Sequence, residues 1–310
     1  MLVYQSTPKE RTMANPTTLR LLFPQWQGGG DPSYRMGTRM LAWLAPDHEG
    51  PLEEVGVAMP EGAPLDTVDG VLGREDILRQ HEDARQRIEK HRPDRIVVFG
   101  GDCGVDLVPF AYLNERYGGD LAVLWIDAHS DLFSNQVLPN SNAHVLGSLH
   151  GEGDAQFSSY VKVPIKPGNA LIAGWQRLPD RYGELQAFED DIAERMRVSR
   201  IESEKLADDN APVIEWLRAT GARHVAIHFD LDVLDADLFR SLTFNKPGAT
   251  VPTAEDIRAG QMTLAQVVRL LDDVAEVADV VGIGITELVP WDAIALQDAL
   301  RRIPLVGRSS

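Results

Sequence analysis

Leu121-Ala122-Val123-Leu124-Trp125-Ile126-Asp127-Ala128-His129-Ser130-Asp131 is the stretch on which the fold turns. An apolar run, Leu121 to Ile126, reads as a strand, and it ends in metal-binding side chains at every second position. In an extended segment Asp127, His129 and Asp131 share one face. Further along, the run His224 to Phe229 delivers Asp230-Leu231-Asp232-Val233-Leu234-Asp235 in the same way. Both motifs are then expected at the carboxyl edge of a sheet, where open α/β folds bind ligands.

Around these two strands the chain alternates strand and helix. Strands are expected at Leu19 to Phe23, Val55 to Ala58, Arg95 to Phe99, Ala170 to Ala173 and Val280 to Thr286. Helices are expected at Arg74 to His91, with Ile77, Leu78, His81, Ala84 and Ile88 at helical spacing, and at Val105 to Glu115 and Leu264 to Val277. Another begins near Ala143, the last runs from Ala293 to Arg302, and Tyr182 to Leu217 reads as one long, polar, helix-prone region. Gly100-Gly101-Asp102-Cys103 makes a tight turn, and a Pro- and Gly-rich loop spans Lys246 to Pro252. Such alternation predicts an α/β fold, with a mainly parallel central sheet and helices on both faces.

The chain has 310 residues, is 44% hydrophobic and 25% charged, and can bury one large core. We expect a polar, flexible lead-in over residues 1–18, with Met13 a candidate start, and a single domain over 19–310. A net charge of −17 speaks against a nucleic-acid partner, whose phosphates need clustered Lys and Arg. No apolar run approaches the roughly 20 residues that span a bilayer, so no membrane partner is expected. With Cys103 as the single cysteine no internal disulfide can form, and a cytoplasmic setting is the simpler expectation.

Carboxylates crowded on one face repel one another unless cations lie between them. Hard oxygen donors with an imidazole suit Mn²⁺, Fe²⁺ or Zn²⁺ better than a thiolate-rich structural zinc site. A calcium loop starting at Asp230 fails, because Asp235 stands where Gly is needed and Ser241 where a bidentate Glu is needed. Gly100, Gly101 and Gly104 do not make a dinucleotide or phosphate loop. His224 and His228 are expected to pack in the sheet, although His228 shares the face of Asp230. His48, His81, His91 and His150 read as ordinary side chains.

With these motifs in order, the chain resembles the arginase and agmatinase superfamily of ureohydrolases. The resemblance runs from about Leu19 onward and includes Ser141-Asn142-Ala143-His144, Lys246-Pro247-Gly248-Ala249-Thr250-Val251-Pro252, Gly260-Gln261-Met262-Thr263 and Thr286-Glu287-Leu288-Val289-Pro290. It implies a three-layer α/β/α hydrolase of linear C–N bonds in guanidino or amidino compounds, working as a homo-oligomer, a trimer or hexamer. Its cofactors would be two divalent ions, Mn²⁺ by family habit, sharing a hydroxide that attacks the guanidinium carbon and releases an amine and a urea. Asp127 and Asp230 would bridge the ions; His129 and Asp232 would complete one, and Asp131 with Cys103 the other. Asp131 and His144 would serve catalysis, His144 by carrying the proton to the leaving nitrogen, and Glu287 would hold the guanidinium.

Position 103 departs from the family pattern, which has His there. A thiolate is softer and would move preference from Mn²⁺ toward Fe²⁺, Ni²⁺ or Zn²⁺. Cys103 is then a ligand in a retuned pair, the weak point of a site that runs on one ion, or the mark of a lost activity; a small buried thiol is the plain reading. Around the substrate, Phe133 replaces an Asn of arginases, Asn142 matches, and Gly174-Trp175-Gln176-Arg177-Leu178-Pro179 lacks the acid that holds an α-amino group, with Asp180 nearby. Phe133 and Trp175 are expected to line a more apolar pocket. Two alternatives stay open: a formimino or amide hydrolase with one or two metals, and a silent structural or regulatory homologue.

Overall fold

The computed structural model describes residues 16–303 apart from residues 61, 251 and 254. Met13 and all but the last three residues of the expected lead-in lie outside the described residues. In chain order the elements are β1 (Thr18–Phe23), α1 (Tyr34–Leu44), β2 (Leu52–Glu54), β3 (Thr67–Val68), β4 (Val71–Leu72), α2 (Arg74–His91), β5 (Arg95–Gly100), α3 (Leu107–Arg116) and β6 (Leu121–Ile126). They continue as α4 (Val145–Leu149), α5 (Ala155–Ser158), β7 (Ala170–Ala173), α6 (Gly183–Met196), β8 (Ser199–Ile201), α7 (Ala211–Thr220), β9 (His224–Asp230), α8 (Leu264–Val277), β10 (Asp279–Thr286) and α9 (Trp291–Leu300). Among the described residues no helix is long and apolar enough to cross a membrane.

Eight strands form one parallel sheet in the order β2-β1-β5-β10-β9-β6-β7-β8. Every residue of β6 is buried, because both faces of the strand are covered. Leu121, Val123 and Trp125 pack with α2, α3 and α4 on one side. Ala122, Leu124 and Ile126 pack with α7 and α8 on the other. Side chains that alternate across a strand thus feed two hydrophobic layers, and the three-layer α/β/α architecture follows.

Several expected elements differ in detail. The edge strand is Leu52–Glu54 rather than Val55 to Ala58; the Val57 and Ala58 carbonyls accept hydrogen bonds from Arg35 instead of joining the sheet. The region Tyr182 to Leu217 is not one helical stretch. Arg197, at φ +52°, ends α6, and the chain turns straight into edge strand β8. Because a non-Gly residue fills this left-handed cap, the sequence lacks the usual stop signal. Helix α1 was not expected, although Tyr34, Gly37, Met40 and Leu41 fall at helical spacing and make its inward face, with Trp43 and Leu44 left exposed beyond it.

Candidate metal centre

The four middle strands, β5, β10, β9 and β6, are neighbours and parallel, so their carboxyl ends lie side by side. Registers pairing Ile126 with Phe229 and Asp230 with Thr286 set Asp127, Asp230 and Glu287 along one edge. Cys103 follows β5 on the Gly100-Gly101-Asp102 turn. Asp102 braces that turn from beneath, accepting from the backbone N–H groups of Gly29 and Gly104 at 3.1 and 3.0 Å.

The two Asp motifs fold alike. Asp127 accepts the N–H of His129 at 2.6 Å, and Asp230 accepts that of Asp232 at 2.7 Å. Each motif thus closes on its own first carboxylate, which aims the later residues inward. Trp125 Nε1 donates to Asp127 Oδ2 at 3.0 Å and fixes that side chain further.

Ligand atoms converge in three overlapping groups: Cys103, Asp127, Asp131 and His228; Cys103, Asp230 and Glu287; and Asp127, His129 and Asp232. Within each group the atoms lie within 4.8 Å of one another. Cys103 Sγ is 2.9 Å from Asp230 Oδ2 and 3.4 Å from Glu287 Oε1. His129 Nδ1 is 3.0 Å from Asp232 Oδ2 and 3.5 Å from Asp127 Oδ1.

All five carboxylates here, Asp127, Asp131, Asp230, Asp232 and Glu287, are buried. Two such charges 4 Å apart repel by about 4 kcal/mol at an effective dielectric of ~20. Burial and the neighbouring carboxylates push Asp131 and Asp230 well above the ordinary range, and Glu287 up to about 8. Burial and the surrounding acids likewise raise the Cys103 thiol. His129 is the exception: burial would lower it, yet Asp232 and Asp127 hold it well above its usual value.

The donor set fits divalent cations. Asp131 Oδ2, Asp232 Oδ1, His129 Nε2 and His228 Nε2 are buried and without a hydrogen-bond partner among the described residues. Such atoms cost free energy unless something binds them, and carboxylates with imidazole and one thiol match first-row metals. Backbone strain points to the same place. Asp131 and Glu287 adopt φ of +50° and +62°, a left-handed region that side chains other than Gly disfavour.

Above the cluster opens a cavity of about 310 Å³, walled by Phe133, Leu138, Leu178, Leu185, Phe244 and Ile257 and floored by Cys103, Asp131, Asp230, Asp232 and Glu287. Asn142 lines it and donates to Glu287 Oε1 at 3.3 Å, while Tyr34 OH donates to Glu287 Oε2 at 3.0 Å. Two expected residues stand elsewhere. Trp175 does not line the cavity; its indole N–H donates to Glu189 at 2.6 Å and Arg200 stacks on its face. His144 is absent from the lining as well: its Nε2 meets the Leu138 carbonyl at 2.9 Å, and burial lowers its pKa to about 4.

Tyr34, Asp106 and Glu189 escaped the sequence reading, and His228 was read as packing. Asp106 is fully buried, 2.7 Å from His228 Nδ1. Room for it comes from Gly284 on β10, where an added Cβ would sit 1.9 Å from Asp106 Oδ2. The available signal was the alternation His228, Asp230, Asp232, which continues one strand face.

The sequence profile of the arginase family matches residues 33–295. An arginase from Staphylococcus aureus is 29% identical over 141 residues, 45% of this chain and 46% of that protein, so the chain spans less than half of that relative's length. The N(1)-aminopropylagmatine ureohydrolase of Thermus thermophilus is 28% identical over 239 residues, 77% of this chain and 68% of that protein. Among solved structures, the Entamoeba histolytica arginase in complex with L-ornithine shares the fold with a TM-score of 0.67 at 16% identity, covering 90% of this chain and 93% of that one. A profile match across most of the sequence, on the fold that its motifs require, makes the conclusion plain: the chain belongs to the arginase family.

Proposed function

We propose that the protein is a divalent-metal-dependent hydrolase that cleaves the linear C–N bond of a guanidino compound and releases urea or a urea derivative. The observation that carries this reading is the convergence of Cys103, Asp127, His129, Asp131, Asp230 and Asp232 beneath a cavity that also presents Glu287. The chemistry that two such cations supply when bound is a water acidified enough to provide hydroxide near neutral pH.

The remaining work belongs to the chain. Glu287, fixed by Tyr34 and Asn142, faces the substrate and pairs with its guanidinium through charge-assisted hydrogen bonds. A cation at that point also returns the raised Glu287 to its ionised form. Asp131 lines the cavity with an unpartnered Oδ2, and we assign to it the proton that passes to the departing nitrogen. His144 then positions the Leu138 wall rather than carrying the proton. Apolar side chains exclude water from the site.

These walls also bear on the substrate. Among the described residues the lining contains no Lys or Arg to balance a free carboxylate. Phe133, Leu138, Leu185 and Phe244 suit an apolar chain, and we read the substrate as a guanidino compound whose far end carries no carboxylate. Protein loaded in turn with Mn²⁺, Fe²⁺, Ni²⁺ and Zn²⁺ should release urea from agmatine and its N-alkyl relatives faster than from arginine. Urea from none of these overturns the reading; formamide or ammonia from formimino or amide controls would replace it with the alternative chemistry.

A further inference from the structure

We infer that His228, oriented by Asp106, is an additional ligand of the metal position that Cys103 and Asp131 face. The inference rests on the metal-dependent reading above and adds a donor which the two Asp motifs do not contain.

His228 is fully buried in β9, two residues before Asp230, on the same strand face. Its Nδ1 lies 2.7 Å from Asp106 Oδ2, which is itself fully buried. With Asp106 ionised, this contact suits the tautomer protonated at Nδ1, the one that offers Nε2 to a metal. That Nε2 has no hydrogen-bond partner among the described residues and points into the cluster. With a ligand atom each from Cys103, Asp127 and Asp131 it forms a group within 4.8 Å.

The ring is held rather than merely present. It stacks on Trp125 at 3.7 Å with 12° between the planes, and Trp125 in turn donates to Asp127 Oδ2. His228 Nε2 and that same oxygen are 3.9 Å apart. This is too long for a direct hydrogen bond. Two donors that each hold one ion at about 2.0–2.2 Å can span this separation. A carboxylate behind the distal nitrogen is the arrangement that fixes a ligating imidazole and raises its basicity. Unpartnered nitrogens also occur on the buried His81 and His150, but neither of those stands among ligand atoms as His228 does.

With His228 included, the Cys103 position becomes a thiolate, imidazole and carboxylate set, which favours Zn²⁺, Fe²⁺ or Co²⁺ over Mn²⁺. The test reads metal binding directly. Full-length protein carrying ¹⁵N-labelled histidine is titrated with Zn²⁺ and followed by ring-nitrogen NMR, with His228→Asn used to assign the signal. The expected result is that the ring nitrogens of His129 and His228 both move to metal-bound positions. Movement of His129 alone, with Zn²⁺ bound, overturns the inference and leaves the metal centre standing. Failure of the protein to take up Zn²⁺, Mn²⁺, Fe²⁺ or Co²⁺ overturns both.

A second variant, Asp106→Asn, keeps an acceptor for Nδ1–H and should preserve the fold. Loss of the charge behind the imidazole should weaken Co²⁺ affinity by roughly 10–100-fold. It should also shift the thiolate-to-Co²⁺ absorption band. Unchanged affinity and an unchanged band in this variant count against His228 as a ligand.

Discussion

Two buried clusters of charge in this molecule are built on opposite plans. At the start of α2, Arg74 pairs with Asp154 through two bonds of 2.7 and 2.9 Å, both side chains are nearly inaccessible, and Asp154 caps α5 by accepting from Gln156 and Phe157. Burial would raise Asp154, yet Arg74 and the cap hold it below its ordinary value. The cluster at the carboxyl ends of β5, β10, β9 and β6 gathers five buried carboxylates and a thiol around His129 and His228. Arg74 and Asp154 are complete within the chain, whereas the second cluster holds negative charge that the described residues do not balance and that the proposed cations would. Burial alone therefore says little about purpose; the balance of charge within the buried set says far more.

The comparison can be broken most decisively at its incomplete end. Asp127→Ala should take metal content below that of the parent. Loss of several kcal/mol of transition-state stabilisation, about 4, should cut urea release on the order of 10³-fold. The same change removes a repelling carboxylate but strands the Trp125 and His129 N–H donors, so the metal-free protein should lose no more than about 1–2 kcal/mol of stability. Elemental analysis, turnover and urea unfolding in chelator check the three parts; a large loss of metal-free stability would place Asp127 with the structural charges.

Asp154→Asn should do the reverse. Stranding Arg74 in the interior should cost about 3–5 kcal/mol of unfolding free energy with the metal content untouched. An intermediate effect is expected from pH. Glu287, raised to about 8 when no cation is near, lends stability that is present while it is protonated and lost as pH climbs through 8. Glu287 alone should cost metal-free protein on the order of 2 kcal/mol between pH 6.5 and 9, and His129, Asp131 and Asp230, also raised, add to the loss as pH climbs. Glu287→Gln should flatten that slope, and saturating metal should abolish it; an equal slope in all three would assign it to other groups. The smallest effect belongs to solvated charge. Arg85, paired along α2 with Glu82 and Glu89, should cost under about 0.5 kcal/mol on replacement by Ala.

What the sequence revealed divides along the same line. Both Asp motifs were legible because each is a local pattern, an apolar strand followed by alternating donors, and the parallel sheet followed from the repeated strand and helix. Partners brought together from distant segments were not legible. Tyr34 reaches Glu287 across 253 residues and Asp106 reaches His228 across 122, and nothing local marks either pair. Trp175 was misplaced for a related reason: its neighbours Glu189 and Arg200 come from α6 and β8, and β8 itself was hidden in a polar stretch. His144 sits where the motif order put it in the chain, but its Nε2 is engaged by the Leu138 carbonyl and the residue does not line the cavity.

Gly284 carries a consequence for descent. Its missing Cβ leaves the space that Asp106 fills, so substitution at 284 and retention of Asp106 exclude one another. A chain that keeps the Asp106–His228 couple must also keep Gly at 284. The three positions are coupled in this chain: a side chain at 284 would displace Asp106 and with it the partner of His228 Nδ1.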